Sequence, residues 1–284
     1  MLQLHPLYLR TGILLCGVLL GFQTASAAVI GYWRFEDGDF LTDSNGGGDL
    51  TSSGTAPIAY ALPGSGAGSD FPNPVPLNDL SNEQGASFDG SGRLRTTGVT
   101  DESFVGGRSL TFETFFNTNS TASDFGLFSL WASSSYRQAS IEVNGGFLGA
   151  SLKYGSTEFE NDSTLSVTAG VDYYAAAVVT GNSTGDVVFY LQDLTNGGSL
   201  QTQTISFDPG GTNTDDFANV SGTVDYSLGS ISGSGYLDSI MDEARVSNHA
   251  MGSEDLLMVP EPGTVTLLGL SGLALLMAAR RRRN

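Results

Sequence analysis

The chain has 284 residues, with 30 acidic against 12 basic side chains, a formal charge of −18 and a pI near 4.1. That balance excludes nucleic acid as a partner, because phosphate attraction needs a basic surface. Charged residues at 15% and hydrophobics at 40% exclude both a disordered acidic tail and a multi-span membrane protein, while 38 glycines favour strands joined by tight turns.

Arg10 precedes an apolar run over 13–22, followed by Ala25-Ser26-Ala27. A positive n-region, a short h-region and an Ala-x-Ala site predict a secretory signal peptide over 1–27, cut between Ala27 and Ala28. The run is shorter than the ~20 residues of a spanning helix. The one cysteine, Cys16, lies within it, so the mature chain uses neither disulfides nor thiol chemistry.

Beyond Ala28 the chain alternates apolar and polar residues in short segments. Val29–Phe35 opens the series, and the stretch 56–82, with five of the nine prolines, reads as one long surface loop. Strands are then expected at 110–116, 125–131, 139–143, 147–153, 165–168, 173–180, 187–192, 201–207, 228–231 and 236–246. Only the extreme C-terminus has a helical apolar pattern. Many short strands over more than 200 residues predict an all-β, two-sheet antiparallel jelly-roll sandwich over 28–257.

The tail reads Val259-Pro260-Glu261-Pro262, an apolar stretch over 265–279, then Arg280, Arg281, Arg282 and Arg283. The stretch is marginal for spanning, and the arginines would hold its end in the cytoplasm. A plain tail anchor is one reading. The arrangement also closely resembles the PEP-CTERM sorting signal of bacteria that secrete exopolysaccharide, filling 258–284. That resemblance implies transient membrane insertion through the apolar helix and removal of the tail by an exosortase, leaving the protein at the cell surface or in the extracellular matrix. Setting both ends aside, residues 28–258 hold 7 basic against 29 acidic side chains, a charge of −22. The exported body is more acidic than the whole.

Four motifs carry a second resemblance. Gly31-Tyr32-Trp33-Arg34-Phe35-Glu36-Asp37-Gly38 with Asp43-Ser44-Asn45-Gly46 looks like the opening of laminin G-like domains of the concanavalin A-like lectin/glucanase superfamily. Gly85-Ala86-Ser87-Phe88-Asp89-Gly90 resembles the next signature, Ser109–Phe116 the central strand, and Gly235–Val246 with Asn248-His249-Ala250 the closing strand and turn. The resemblance implies binding of a polysaccharide or cell-surface glycan, or else a structural matrix role. It also implies a structural calcium between the opening region and the closing strand, at places matched by Glu36 and Asp242. The sequence 43–49 separately packs hard oxygen donors around glycines, which makes Asp43, Asn45 and Asp49 further candidate ligands for Ca2+; an ordinary Asx turn is the plainer reading.

Catalysis is not expected. Glycan-cleaving relatives place paired carboxylates on one strand face, and the nearest spacing here, Glu158, Glu160 and Asp162, lies in a polar stretch that reads as a solvated loop. His5 and His249 are too far apart in role to build a triad or zinc cluster. Alternation puts Asp242 and Glu243 on opposite faces, with Glu243 paired to Arg245. Of the aromatics Trp33, Trp131, Tyr136, Tyr173 and Tyr174, most are expected in the core rather than as sugar-stacking surfaces.

Overall fold

A computed structural model of the chain describes residues 29–36, 41–45, 48–62, 70–96, 99–100, 109–133, 136–154, 157–180, 185–207, 223–231 and 233–258. The predicted signal-cleavage residues Ala25, Ala27 and Ala28, the tail from Val259 to Arg283 and its apolar helix lie outside the described residues. In chain order the strands are β1 Val29–Trp33, β2 Thr51–Ser53, β3 Ile58–Ala61, β4 Gln84–Asp89, β5 Arg93–Arg95, β6 Val99–Thr100, β7 Leu110–Phe116, β8 Phe125–Ser133 and β9 Tyr136–Asn144. There follow β10 Phe147–Tyr154, β11 Thr157–Ser166, β12 Tyr173–Val179, β13 Gly185–Asp193, β14 Gln201–Phe207, β15 Thr223–Leu228, β16 Ser230–Ile231, β17 Ser234–Tyr236 and β18 Asp238–Ser247.

They form the expected sandwich. The first sheet runs β14-β13-β12-β7-β18-β4-β3, with β1 also on β18, and the second runs β11-β10-β9-β8-β15-β5-β2, with β6 on β15. All pairs are antiparallel. Between the sheets Phe112 of β7 stacks on Phe128 of β8 with ring centroids 4.8 Å apart, and Phe116 stacks on Tyr173. Trp33, fully buried, anchors the opening strand and donates its indole N–H to the Gly48 carbonyl at 3.0 Å. Apolar burial of this kind, about 25 cal/mol per Å2, is what holds the two sheets together. Gly126 of β8 passes under the β16–β17 hairpin, where a Cβ would fall 2.3 Å from the Ser230 backbone.

A second apolar layer covers the outer face of the first sheet. Leu62, Phe71 and Val75, with Met251, Leu256 and Leu257, pack on Phe115, Tyr174 and Ala176. The central strands β7 and β12 are therefore buried on both faces: β12 reads as one apolar run, while β7 carries Thr111, Glu113 and Thr114, each hydrogen-bonded where it is buried. Polar groups under this layer are paired. Glu113 accepts the Arg245 Nε–H at 2.7 Å, the Tyr174 hydroxyl at 2.6 Å and the Leu257 backbone N–H at 2.7 Å. Burial and the Glu113 charge raise the Tyr174 hydroxyl well above its ordinary value, so it stays a donor.

Two expectations are corrected here. The proline-rich stretch 56–82 is not surface loop throughout: it contains β3, and Phe71, Val75 and Asn82 are buried beneath it. Its apolar residues are too widely spaced to show a period, but they meet a sheet face that has no other cover. The polar stretch 158–162 is not a loop but part of β11. Glu158, Glu160 and Asp162 share its exposed face while Phe159 packs on the core, a period-two pattern hidden by its acidity.

Candidate functional site

A bulge in β18 decides where the acids of the closing strand point. Asp242 lies opposite Phe115, yet Arg245 rather than Ala244 lies opposite Glu113, so β18 carries one extra residue. Glu243 absorbs it at φ 48, in the left-handed region that favours glycine. Met241 and Ala244 consequently both enter the core, and Asp242 and Glu243 are left side by side on the outer side of the sheet, each at 0% exposure. Thr114 donates its hydroxyl to the Asp242 carbonyl at 2.7 Å and satisfies the displaced backbone.

This corrects the expected faces and the expected ion pair. Arg245 pairs with Glu113, while Glu243 takes the Arg34 Nε–H at 3.1 Å and the Tyr32 hydroxyl. Arg34 and Tyr32 share the outer face of the opening strand, and Asn78 donates to the Tyr32 oxygen at 3.3 Å. The neighbouring segment 81–84 closes the cluster. Arg34 reaches the Ser81 carbonyl, and Glu36 accepts the N–H groups of Glu83 at 2.5 Å and Gln84 at 3.1 Å. Gly85 lets β4 approach: a Cβ there would sit 3.1 Å from the Met241 carbonyl oxygen and 3.4 Å from the Asp242 Cβ.

The electrostatics of the cluster are lopsided. Burial pushes the Glu243 carboxyl up to about 7, with the Arg34 charge offsetting part of the effect. Burial, and then the Glu243 charge, raises Asp242 well above the usual carboxylate range. Tyr32 is raised by the same two causes. Glu36 adds a third negative charge close enough to raise both carboxyls further. One guanidinium faces three acids.

Asp242 is also the least satisfied group. Neither carboxylate oxygen has a hydrogen-bond donor, and the Asn82 Oδ1 is likewise buried and unpartnered. Asn82 donates its side-chain amide to the Pro72 carbonyl at 3.2 Å; the Asn82 side chain and the Glu243 backbone N–H also lie close enough to Asp242 to offset part of the rise in its pKa. Orphaned buried oxygens beside excess negative charge are the kind of donor a hard cation accepts. Among the described residues no three His, Cys, Asp or Glu side chains converge into a closed cage.

The five predicted ligands thus fall into two groups. Glu36 and Asp242 come together, as part of the cluster just described. Asp43, Asn45 and Asp49 form a separate turn. Asp43, buried, accepts the N–H of Tyr32 at 2.8 Å, of Asn45 at 2.8 Å and of Gly48 at 3.0 Å, and gives its own N–H to Asp49 at 3.2 Å. Asn45 donates its side-chain amide to the Val29 carbonyl. Those bonds describe an Asx turn that ties the opening loop to β1. Tyr32 and Arg34 stand in the sequence only as parts of the opening motif and Glu243 as a partner of Arg245; Asn82 is not singled out there. The bulge that turns Glu243 outward leaves no trace in the strand's composition. Of the aromatics, Trp33, Tyr173 and Tyr174 are in the core; the side chains of Trp131 and Tyr136 lie outside the described residues.

Comparison with known proteins adds two findings. Residues 259–283 match the PEP-CTERM protein-sorting motif, which marks a chain for export and membrane-associated processing towards the cell surface. In structure, the chain is similar to domain 4 of AbnA, a GH43 extracellular arabinanase from Geobacillus stearothermophilus, in complex with arabinotriose, at 15% identity over 82% of this chain and 97% of that one, with a TM-score of 0.51. At that identity the likeness speaks for the fold alone. Weaker likenesses join the LG1-3 region of the laminin alpha2 chain (13% identity, 58% of this chain and 31% of that one, TM-score 0.43) and the CBM40 of Ruminococcus gnavus IT-sialidase bound to alpha2,3 sialyllactose (14%, 61% and 94%, 0.42). No curated protein matches the sequence. The molecule is a two-sheet antiparallel β-sandwich whose residues 259–283 carry a PEP-CTERM sorting motif.

Proposed function

We propose that the protein is a non-catalytic glycan- or matrix-binding domain, processed by an exosortase-type enzyme and displayed at the cell surface or in the exopolysaccharide matrix. The observation that carries this is the joining of a sorting motif to a body folded like an arabinotriose-bound domain. The buried acids support binding over hydrolysis. Glu113 is tied to Arg245 and Tyr174, and Glu243 to Arg34, and both are buried, so neither is open to a sugar at the surface. The test is a glycan array with the mature chain, followed by affinity electrophoresis in the polysaccharides that score. Retention by a polysaccharide supports the reading. Failure to bind any carbohydrate leaves a structural matrix role, and turnover of a polysaccharide lost in Glu158→Gln or Glu160→Gln would make the protein an enzyme.

Calcium belongs to the same proposal, as a structural ion. Asp242 would hold it with Asn82 and Glu36, and its charge would neutralise the excess negative charge of the cluster. Calorimetry after chelation should show calcium uptake that Asp242→Asn removes. Uptake unchanged in Asp242→Asn places the ion elsewhere, with the 43–49 turn as the next candidate.

A further inference from the structure

The buried pair Glu113–Arg245 has no part in the cation cluster, and it grips the last residues of the body. Both polar groups of the Leu257 backbone are held: its N–H by Glu113 at 2.7 Å, its carbonyl by the Leu77 N–H at 3.0 Å. Arg245 donates to the Asp255 carbonyl at 2.6 Å, and Thr111 receives the Met251 N–H at 2.9 Å. Leu256 and Leu257 are at 0% exposure. A chain end that frays would have neither its amides nor its side chains buried. Yet the sorting motif begins at Val259, two residues further on.

We propose that Glu113 and Arg245 form a clamp that sets the reach of the sorting motif from the folded body. The inference rests on the reading that the motif is processed at a membrane. From Leu257 to Pro262 the chain has five residues, and at ~3.3–3.6 Å each they span no more than about 18 Å. A body of roughly 230 residues has a radius of gyration near 17 Å. With the clamp shut, the sandwich lies flush against whatever membrane surface the motif enters, and the processing enzyme meets the body's tail-bearing face together with the motif. Peeling 251–258 away would add about 26 Å of reach. Glu113 and Arg245 are positioning residues here; they take no part in cleavage.

The test uses the full chain in its exporting host, with pulse-chase to follow conversion to the processed form and intact mass to define it. Leu257→Pro removes the N–H that Glu113 accepts and leaves the Glu113–Arg245–Tyr174 bonds in place. An insertion of about ten Gly and Ser residues between Met258 and Val259 lengthens the reach with the clamp shut. Hydrogen exchange on purified precursor reads the clamp itself: the Met251 and Asp255 amides, hydrogen-bonded in the wild type, should be protected there and exchange freely in Leu257→Pro, while those of β7 and β12 are unchanged. Each variant should be processed several-fold faster than wild type, and the two combined no faster than either alone. Additive gains, or a Leu257→Pro chain that is open by exchange yet processed at the wild-type rate, would overturn the clamp's role. A wild type never processed sinks the reading of the motif instead, and the reach argument with it, while the exchange data still report whether the tail is held.

Discussion

Glu243 makes the stability of the calcium-free protein fall as pH rises, opposite to the usual behaviour of a paired carboxylate. Its carboxyl sits near 4.5 in the unfolded chain and at about 7 in the fold, so the folded state binds the extra proton across that window. The stabilisation is fully present below pH 4.5 and is lost as pH rises through 7. The difference of 2.5 units amounts to about 3 kcal/mol at 1.36 kcal/mol per unit. Asp242 contributes with the same sign. For a domain of this size that is a fall in Tm of about 6–12 °C. Calcium bound at these acids as proposed would replace the protons, so its stabilising effect should be small near pH 5 and large near pH 8, with protons released on binding. Thermal melts in chelator and in calcium, across that range, read both effects; Glu243→Gln, which cannot titrate, isolates the one carboxyl from general acidic repulsion. A wild-type melting temperature that tracks Glu243→Gln at every pH in chelator would refute the reasoning.

Other expectations are narrower. Asp242→Asn removes a buried carboxyl whose ionisation burial opposes, and should raise the calcium-free melting temperature at alkaline pH, while abolishing any rise on adding calcium. Tyr174→Phe deletes the hydroxyl on Glu113 and should cost about 1–2 kcal/mol in urea denaturation; no loss would mean that water or Arg245 takes its place. Phe112→Ala opens the stacked pair with Phe128 and should cost about 3–5 kcal/mol by the same measurement. Gly92→Ala sets a Cβ 1.7 Å from the Thr55 carbonyl oxygen, so the turn between β4 and β5 must move, at about 1–3 kcal/mol.

Most of the sandwich was legible because burial writes itself into local pattern. β7 and β14 coincide with the segments expected from their alternation or apolar runs, and β8, β9, β10, β12 and β13 differ from expectation by a few residues at their ends. What was lost was short or polar. β2 and β5 have three residues each, too few to show a period, and β11 turns acids to solvent where an apolar segment was sought. The site was half legible. Resemblance brought Glu36 and Asp242 to one place, and the structure sets them in one cluster. Glu243 and Arg245 were misassigned because strict alternation cannot foresee a one-residue bulge, and every side chain beyond it changes face. Asn82 was invisible for a different reason. It is one polar residue in a proline-rich stretch, and only the fold reveals that its Oδ1 is buried without a partner.

β18 lies between β7 and β4 and also carries β1, so the last strand of the body joins the first to the centre of its sheet. A chain crossing a membrane N-terminus first cannot complete that sheet until residue 247 has emerged, because contacts of such long sequence separation wait for both partners. Until then β1, β4 and β7 lack their shared neighbour. The sorting motif follows β18 by only a dozen residues. Strand order alone therefore places completion of the sheet within a dozen residues of the motif.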